Sequence, residues 1–203
     1  DGIVLLENSV KADVRMRTFN RDGSEGRMAG NNIRCVGKYL YDRGYVRSEM
    51  ITVETGSGIK RLRLFIRDGK VSSVTVEMGP ADFRAANVPV LCESDTLINA
   101  PLTIGEEEYK VTCVSVGNPH CVIFCDNPED LDLSSVGPAF EFAPCFPERV
   151  NTEFVRVVNH TTLRVRVWER GSGETLACGT GACAAVAAAI QNGFCSEGSD
   201  ITV

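Results

Sequence analysis

A thiol at the start of a helix is the residue in this sequence best placed to do chemistry. Cys178 stands in ACGTG, between a strand-like run, LRVRVWE, and an alanine-rich run with helical character, ACAAVAAAIQNG. The first N–H groups of a helix lack intrahelical partners, and its dipole favours negative charge there. A thiol so placed is expected to have a lowered pKa and more thiolate at neutral pH. Gly179 and Gly181 remove side chains beside it, so backbone N–H groups can approach a ligand closely. An amino-acid carboxylate suits such a cradle.

The stretch has a counterpart earlier in the chain. At an offset of 149 positions, the distance from Ala29 to Cys178, Val14–Gly44 falls on Leu163–Gly193 without a gap. Arg15, Arg17 and Arg21 meet Arg164, Arg166 and Arg170; Glu25, Gly30 and Gly44 meet Glu174, Gly179 and Gly193. The register then drifts by one, and both copies run on to ITV. This pattern reads as two copies of one structural unit. Copy one, MAGNN, keeps the glycine at Gly30 and the helix start, with Asn31 as a further donor, but it has Ala29 where copy two has Cys178. Two such helix starts facing one carboxylate would place one group from each copy on either side of the α-carbon. That arrangement suits removing a proton from one face and returning it on the other.

Other polar residues cluster around these two turns. Glu169 and Arg170 precede GSGE, and Glu25 and Glu174 lie inside the turns. Arg170 is the best carboxylate partner among them, because a guanidinium pairs bidentately. Asn20, Asn118 and Asn151 each stand at a strand–loop junction, where asparagine is commonly a turn former. His120 ends GNPH, where it either hydrogen-bonds structurally or serves the site; His160 sits in a hairpin turn facing solvent.

The elements that must position these groups follow from periodicity. Ile3–Glu7 reads as a buried strand, and Asp13–Asn20 alternates with Val14, Met16 and Thr18 on one face. Asn31–Arg43 has helical spacing, with Ile33, Val36, Gly37, Leu40 and Tyr41 on one face and Gly44 closing it. Met50–Glu54, Lys60–Ile66 and Val71–Glu77 read as strands broken at GSG and RDGK. The chain changes direction at MGPADF, which places a boundary between a first domain, 1–79, and a second, 80–203. In the second half, Val88–Cys92, Leu97–Ile104, Tyr109–Val116 and Cys121–Cys125 read as strands. Asp126–Pro147 is mostly loop with a short helix around Leu131–Val136. Glu153–Val158 and Leu163–Trp168 form a hairpin, and a helix runs from Thr180 to Asn192, apolar nearly all round and so wrapped by strands. The plan is α+β, with two similar domains.

Bulk composition narrows the function classes. The 203 residues are 43% hydrophobic and 24% charged, with a net charge of −6. There is no basic run of the kind that binds nucleic acid or an anionic membrane. The longest apolar run, Ala182–Ile190, is too short to span a bilayer. Nine cysteines occur without a CxxC pair and with only two histidines, which argues against zinc. Most lie in apolar runs as free thiols, pointing to a reducing, cytoplasmic setting. Asp1 leads straight into GIVLLE and the chain stops at Val203 within a strand pattern, as a piece of a longer protein would.

The motifs FNRDGSE, AGNNIRC, VSVGNPHCVIF, FPERVNTEF and VWERGSGETLACGTGACA resemble those of the diaminopimelate epimerase family. They span nearly the whole chain in the family's order. The resemblance implies two pseudo-symmetric α/β domains, each a curled, mostly antiparallel, barrel-like sheet around a central helix. It implies an isomerase that needs no pyridoxal phosphate or other cofactor and interconverts LL- and meso-diaminopimelate in lysine biosynthesis. In the family two cysteines work as thiolate base and thiol acid on opposite faces of the α-carbon. By position, Cys178 is one of them. Gly179 and Thr180, with Gly30 and Asn31 from the other helix start, would bind the α-carboxylate. Asn20, Asn118, Asn151, Glu169 and Arg170 would hold the substrate's two amino-acid ends, and His120 would lie near the reacting centre. The expected partner is the small-molecule substrate, with no nucleic acid and no membrane; a homodimer is the assembly to look for.

The sequence departs from the family at named positions. The second catalytic cysteine should stand at Ala29, and a methyl group neither takes nor gives a proton. The family's GNG is GNN here, with Asn32 in place of glycine. Its opening segment with HGxGNDF and its closing segment are not in the sequence. Cys35, six residues after Ala29, is expected well down the helix and out of reach. These departures leave two further readings open: a non-catalytic amino-acid-binding homologue, and a related one-thiol dehydratase acting on hydroxylated proline.

Overall fold

Strict alternation builds the strand that carries the first repeat. In Val14–Asn20 the side chains of Val14, Met16 and Thr18 are buried while Arg15 is exposed. The computed structural model describes residues 2–20, 23–26 and 30–203. Ala29 and Arg21, both singled out in the sequence, lie outside the described residues. The chain divides into two compact units, Asp1–Gly79 and Pro80–Val203.

The first unit contains β1 (Gly2–Glu7), β2 (Val14–Asn20), β3 (Glu25–Gly26), α1 (Gly30–Asp42), β4 (Met50–Thr55), β5 (Gly58–Arg67) and β6 (Lys70–Val76). The sheet order is β1-β2-β4-β5-β6, with β3 paired to β2. β2 and β4 run parallel, Val14 opposite Val53, so α1 is the crossover between them. Ile33, Val36 and Leu40 of α1 pack with Ile51, Val53, Leu62, Leu64 and Val71 of the curled sheet. The approach is close: a Cβ on Gly37 would stand 2.9 Å from Leu62 Cδ2. β1 forms the sheet edge, and Ile3, Leu5 and Leu6 are exposed rather than buried as their run of apolar residues implied.

The second unit contains β7 (Ala100–Ile104), β8 (Glu107–Ser115), β9 (Pro119–Phe124), α2 (Leu133–Glu141), β10 (Asn151–Asn159), β11 (Thr162–Glu169), β12 (Gly173–Thr175) and α3 (Gly179–Gln191). The order is β12-β11-β10-β9-β8-β7, antiparallel except for β9 and β10. On one side Ala184, Ala185, Ala188 and Ala189 of α3 pack with Val114, Val122, Val155 and Leu163. On the other, Leu133 and Phe140 of α2 pack with Val88, Val111, Val150 and Phe154. Among the described residues no helix is long and apolar enough to cross a membrane.

The repeat is structural. Phe19 pairs with Glu25 across β2 and β3 as Trp168 pairs with Glu174 across β11 and β12, at the same offset. Arg17 bonds Glu25 bidentately, and Arg166 bonds Glu174. Both long helices end alike. Tyr45 N–H reaches Leu40 O and Gly44 N–H reaches Tyr41 O; Phe194 reaches Ala189 and Gly193 reaches Ile190. Gly44 and Gly193 both have φ of +77°. This is the six-to-one, five-to-two cap that glycine closes without a Cβ clash. β1 and β10 also correspond, since Leu5 faces Arg17 as Phe154 faces Arg166.

Two local expectations change. Val88–Cys92 is not a strand. Val88 N–H bonds Arg84 O and Val90 N–H bonds Ala85 O, so the segment turns back on itself. Val88 and Val90 plug a core, while Leu91 is exposed. The short helix is displaced to Leu133–Glu141, capped by Asp132 through Ser134 N–H, with Pro138 inside it.

Candidate active site

α3 follows β12 after Leu176 and Ala177, and Cys178 is its N-cap. Its φ of −128° and ψ of 113° are those of a helix N-cap, and its sulfur accepts from Gly181 N–H at 3.3 Å. The Thr180 hydroxyl lies 3.4 Å from the same sulfur. A hydrogen-bonded run continues away from it. Asn118 Nδ2 donates to Thr180 Oγ1 at 3.2 Å, Asn118 Oδ1 lies 3.0 Å from His120 Nε2, and His120 Nδ1 lies 2.7 Å from Glu153 Oε1. His120 and Glu153 are both fully buried. Both ring nitrogens of His120 are thus engaged inside the unit.

The helix start carries the donors expected of it, yet the thiol is shifted in the direction opposite to the expectation. Burial pushes Cys178 up to about 12, and the Glu153 and Glu169 carboxylates add to the shift, while the Thr180 hydroxyl and Gly181 N–H oppose it. Desolvation of a thiolate outweighs two hydrogen bonds here. Cys178 therefore rests as a protonated thiol at neutral pH.

Glu153 belongs to the site without having been singled out by any sequence pattern. Its Oε2 is buried without a partner among the described residues. A Cβ on Gly181 would stand 2.8 Å from Glu153 Oε1 and 3.3 Å from Cys178 Sγ. That contact gives Gly181 a packing reason for lacking a side chain, beyond any approach of a ligand. The one local signal is NTEF, an acid inside a strand whose neighbours Thr152, Phe154 and Val155 are all buried.

The turn between β11 and β12 holds Glu169 and Arg170, both half-buried. Asn151 lies beneath it: Oδ1 accepts from Arg170 N–H and Nδ2 donates to Pro119 O, both at 2.9 Å. Arg170 Nη1 donates to Glu148 O at 2.9 Å, and the Thr175 hydroxyl donates to Glu169 Oε1. Gly179 and Thr180 form the first turn of α3. The structure thus brings Asn118, His120, Asn151, Glu169, Arg170, Cys178, Gly179 and Thr180 together within the second unit.

In the first unit, Asn20 closes the β2–β3 turn, its Nδ2 donating to Ser24 Oγ at 3.0 Å. Gly30 and Asn31 open α1, and Arg34 donates to Asn31 Oδ1. Cys35 lies on the exposed side of α1. His160 is exposed, with Nδ1 3.0 Å from Phe194 O. Among the described residues no group of three or more His, Cys, Asp or Glu side chains is placed to hold a metal ion.

A sequence model of the family described as diaminopimelate epimerase matches residues 1–84 and 112–203. The diaminopimelate epimerase of Desulfovibrio desulfuricans is 50% identical over 209 aligned positions, covering 100% of this chain and 72% of that protein. That of Acetivibrio thermocellus is 51% identical over 193 positions, covering 95% of this chain and 69% of that protein. Among solved structures, a hydroxyproline epimerase from Agrobacterium vitis superposes with a TM-score of 0.75 at 18% identity, covering 99% of this chain and 62% of that one, a likeness of fold. Half of the positions are shared with proteins of one name along nearly the whole sequence, and the fold is that of amino-acid epimerases. The chain belongs to the diaminopimelate epimerase family.

Proposed function

We propose that this chain carries the site of an LL- to meso-diaminopimelate epimerase that exchanges the α-proton without a cofactor, with Cys178 as its remaining acid–base group. The observation that carries this reading is the placement of Cys178, whose sulfur caps the first turn of α3 and accepts from Gly181 N–H beside the Thr180 hydroxyl. Gly179 and Thr180 bind the α-carboxylate at the α3 start, and Gly30 and Asn31 are the corresponding positions at the α1 start. Glu169, Arg170, Asn118, Asn151 and Asn20 hold the ends of the substrate. Asn151 contributes from beneath the turn, and His120 serves the thiol through Asn118 and Thr180. A free thiol in this role fits a reducing, cytoplasmic setting. The second acid–base position is Ala29, whose methyl group cannot exchange a proton.

Proton NMR in D2O with each diaminopimelate isomer tests the reading. The chain as it stands is expected to bind the substrate and to exchange its α-proton slowly or not at all, because Ala29 leaves the site a single acid–base group. Ala29→Cys is expected to raise exchange with inversion by about 10²-fold or more, the scale of a positioned acid–base group. Tight binding with no exchange in the Ala29→Cys variant would favour the reading of a non-catalytic amino-acid-binding protein, for which Ala29 is the supporting residue.

A further inference from the structure

Glu141, the last residue of α2, is only 3% exposed, and both of its oxygens are engaged. Oε1 accepts from the main-chain N–H of Gly171 at 2.9 Å, and Oε2 accepts from the indole N–H of Trp168 at 2.7 Å. Arg149 Nη1 lies 3.5 Å from Oε1 and balances the charge. The neighbouring amide, Arg170 N–H, is held by Asn151. Two consecutive N–H groups of the turn are therefore held by buried acceptors from two other elements, α2 and β10. Gly171 has φ of +76° and Gly173 of +82°, so the turn follows a left-handed path that these bonds fix. α2 is held tightly against the indole: a Cβ on Gly137 would stand 2.2 Å from Trp168 Cδ2. Burying a carboxylate at the end of α2 is costly unless its partners use it.

We propose that Glu141 is a positioning residue that holds the Glu169–Arg170 turn in its ligand-binding shape. The inference rests on the reading that Glu169 and Arg170 hold the substrate. It assigns to α2, outside the repeated part of the fold, the setting of substrate affinity.

The test uses the whole chain and two measurements. Hydrogen exchange of the Gly171 amide reads the clamp without reference to activity, and calorimetric titration with meso-diaminopimelate reads the site. In Glu141→Leu no acceptor faces Gly171. Gly171 exchange is expected to quicken about tenfold, the scale of one lost hydrogen bond, and diaminopimelate affinity to fall by a similar factor. Glu141→Gln, whose amide oxygen can face Gly171 beside Arg149 while the indole loses its acceptor, should keep both protection and affinity. A merely structural role would not follow the acceptor in this way. Unchanged Gly171 exchange in a folded Glu141→Leu variant overturns the clamp. Faster exchange with unaltered affinity, in a chain that binds diaminopimelate, overturns the positioning role. If the unsubstituted chain binds no diaminopimelate, the reading of the site fails on its own, and the exchange data of the two variants decide the clamp.

Discussion

Glu153→Gln should make Cys178 more reactive. The carboxylate and the sulfur stand within about 6 Å of each other, because Glu153 Oε1 and Cys178 Sγ lie 2.8 and 3.3 Å from the point a Gly181 Cβ would occupy. Two unit charges about 6 Å apart at an effective dielectric constant near 20 interact by about 2.8 kcal/mol, or about two pKa units. The other groups facing the thiol are Glu169 from β11 and, through Asn118 and Thr180, His120 from β9. With the thiol at about 12 against an ordinary 9.0, the thiolate fraction at pH 8 is about a thousandfold below that of an unperturbed cysteine. Alkylation follows the thiolate, so the rate in the unsubstituted chain should climb about tenfold per pH unit up to about 12. Removing the Glu153 charge lowers the thiol pKa and moves that profile to lower pH. The rate at pH 8 should rise by about 10- to 100-fold. Iodoacetamide labelling from pH 7 to 11, with the Cys178 peptide followed by mass spectrometry, measures it among the nine cysteines. An unchanged profile in a folded variant would refute the electrostatic argument.

Three further substitutions test the packing within the two units. Gly137→Ala improves helix propensity by about 1 kcal/mol, but its Cβ would stand 2.2 Å from the Trp168 ring; the net effect should be a loss of about 1–3 kcal/mol, read as a lower Tm, with a shift in the emission of Trp168, the chain's one tryptophan. Arg17→Ala and Arg166→Ala remove corresponding residues of the repeat, yet they should differ. Arg166 also donates Nη1 to Pro128 O and Leu131 O, both at 2.8 Å, so its loss should lower stability by about 2 kcal/mol. Arg17 holds exposed acids in an open ion pair and its loss should barely move the Tm.

Much of this protein is legible in the order of its residues alone. The internal repeat, the helices closed by Gly44 and Gly193, the alternation of Val14, Met16 and Thr18, and the placing of Cys178 at a helix start all depend on neighbours within a few residues. Short-range sterics and periodicity write such features directly into the chain. The family motifs are legible for the same reason, as unbroken strings of residues. What only the tertiary structure decided involves residues far apart in sequence. Asn118 meets Thr180 across 62 positions, and His120 meets Glu153 across 33. Local pattern pointed to an acidic thiol at Cys178; folding leaves it half-buried and near the carboxylates of Glu153 on β10 and Glu169 on β11, which reverses the shift. No sequence pattern singled out Glu141 or Glu153, and folding places both out of water. Desolvation and long-range pairing depend on what the whole chain puts around a group, and no run of neighbouring residues specifies that.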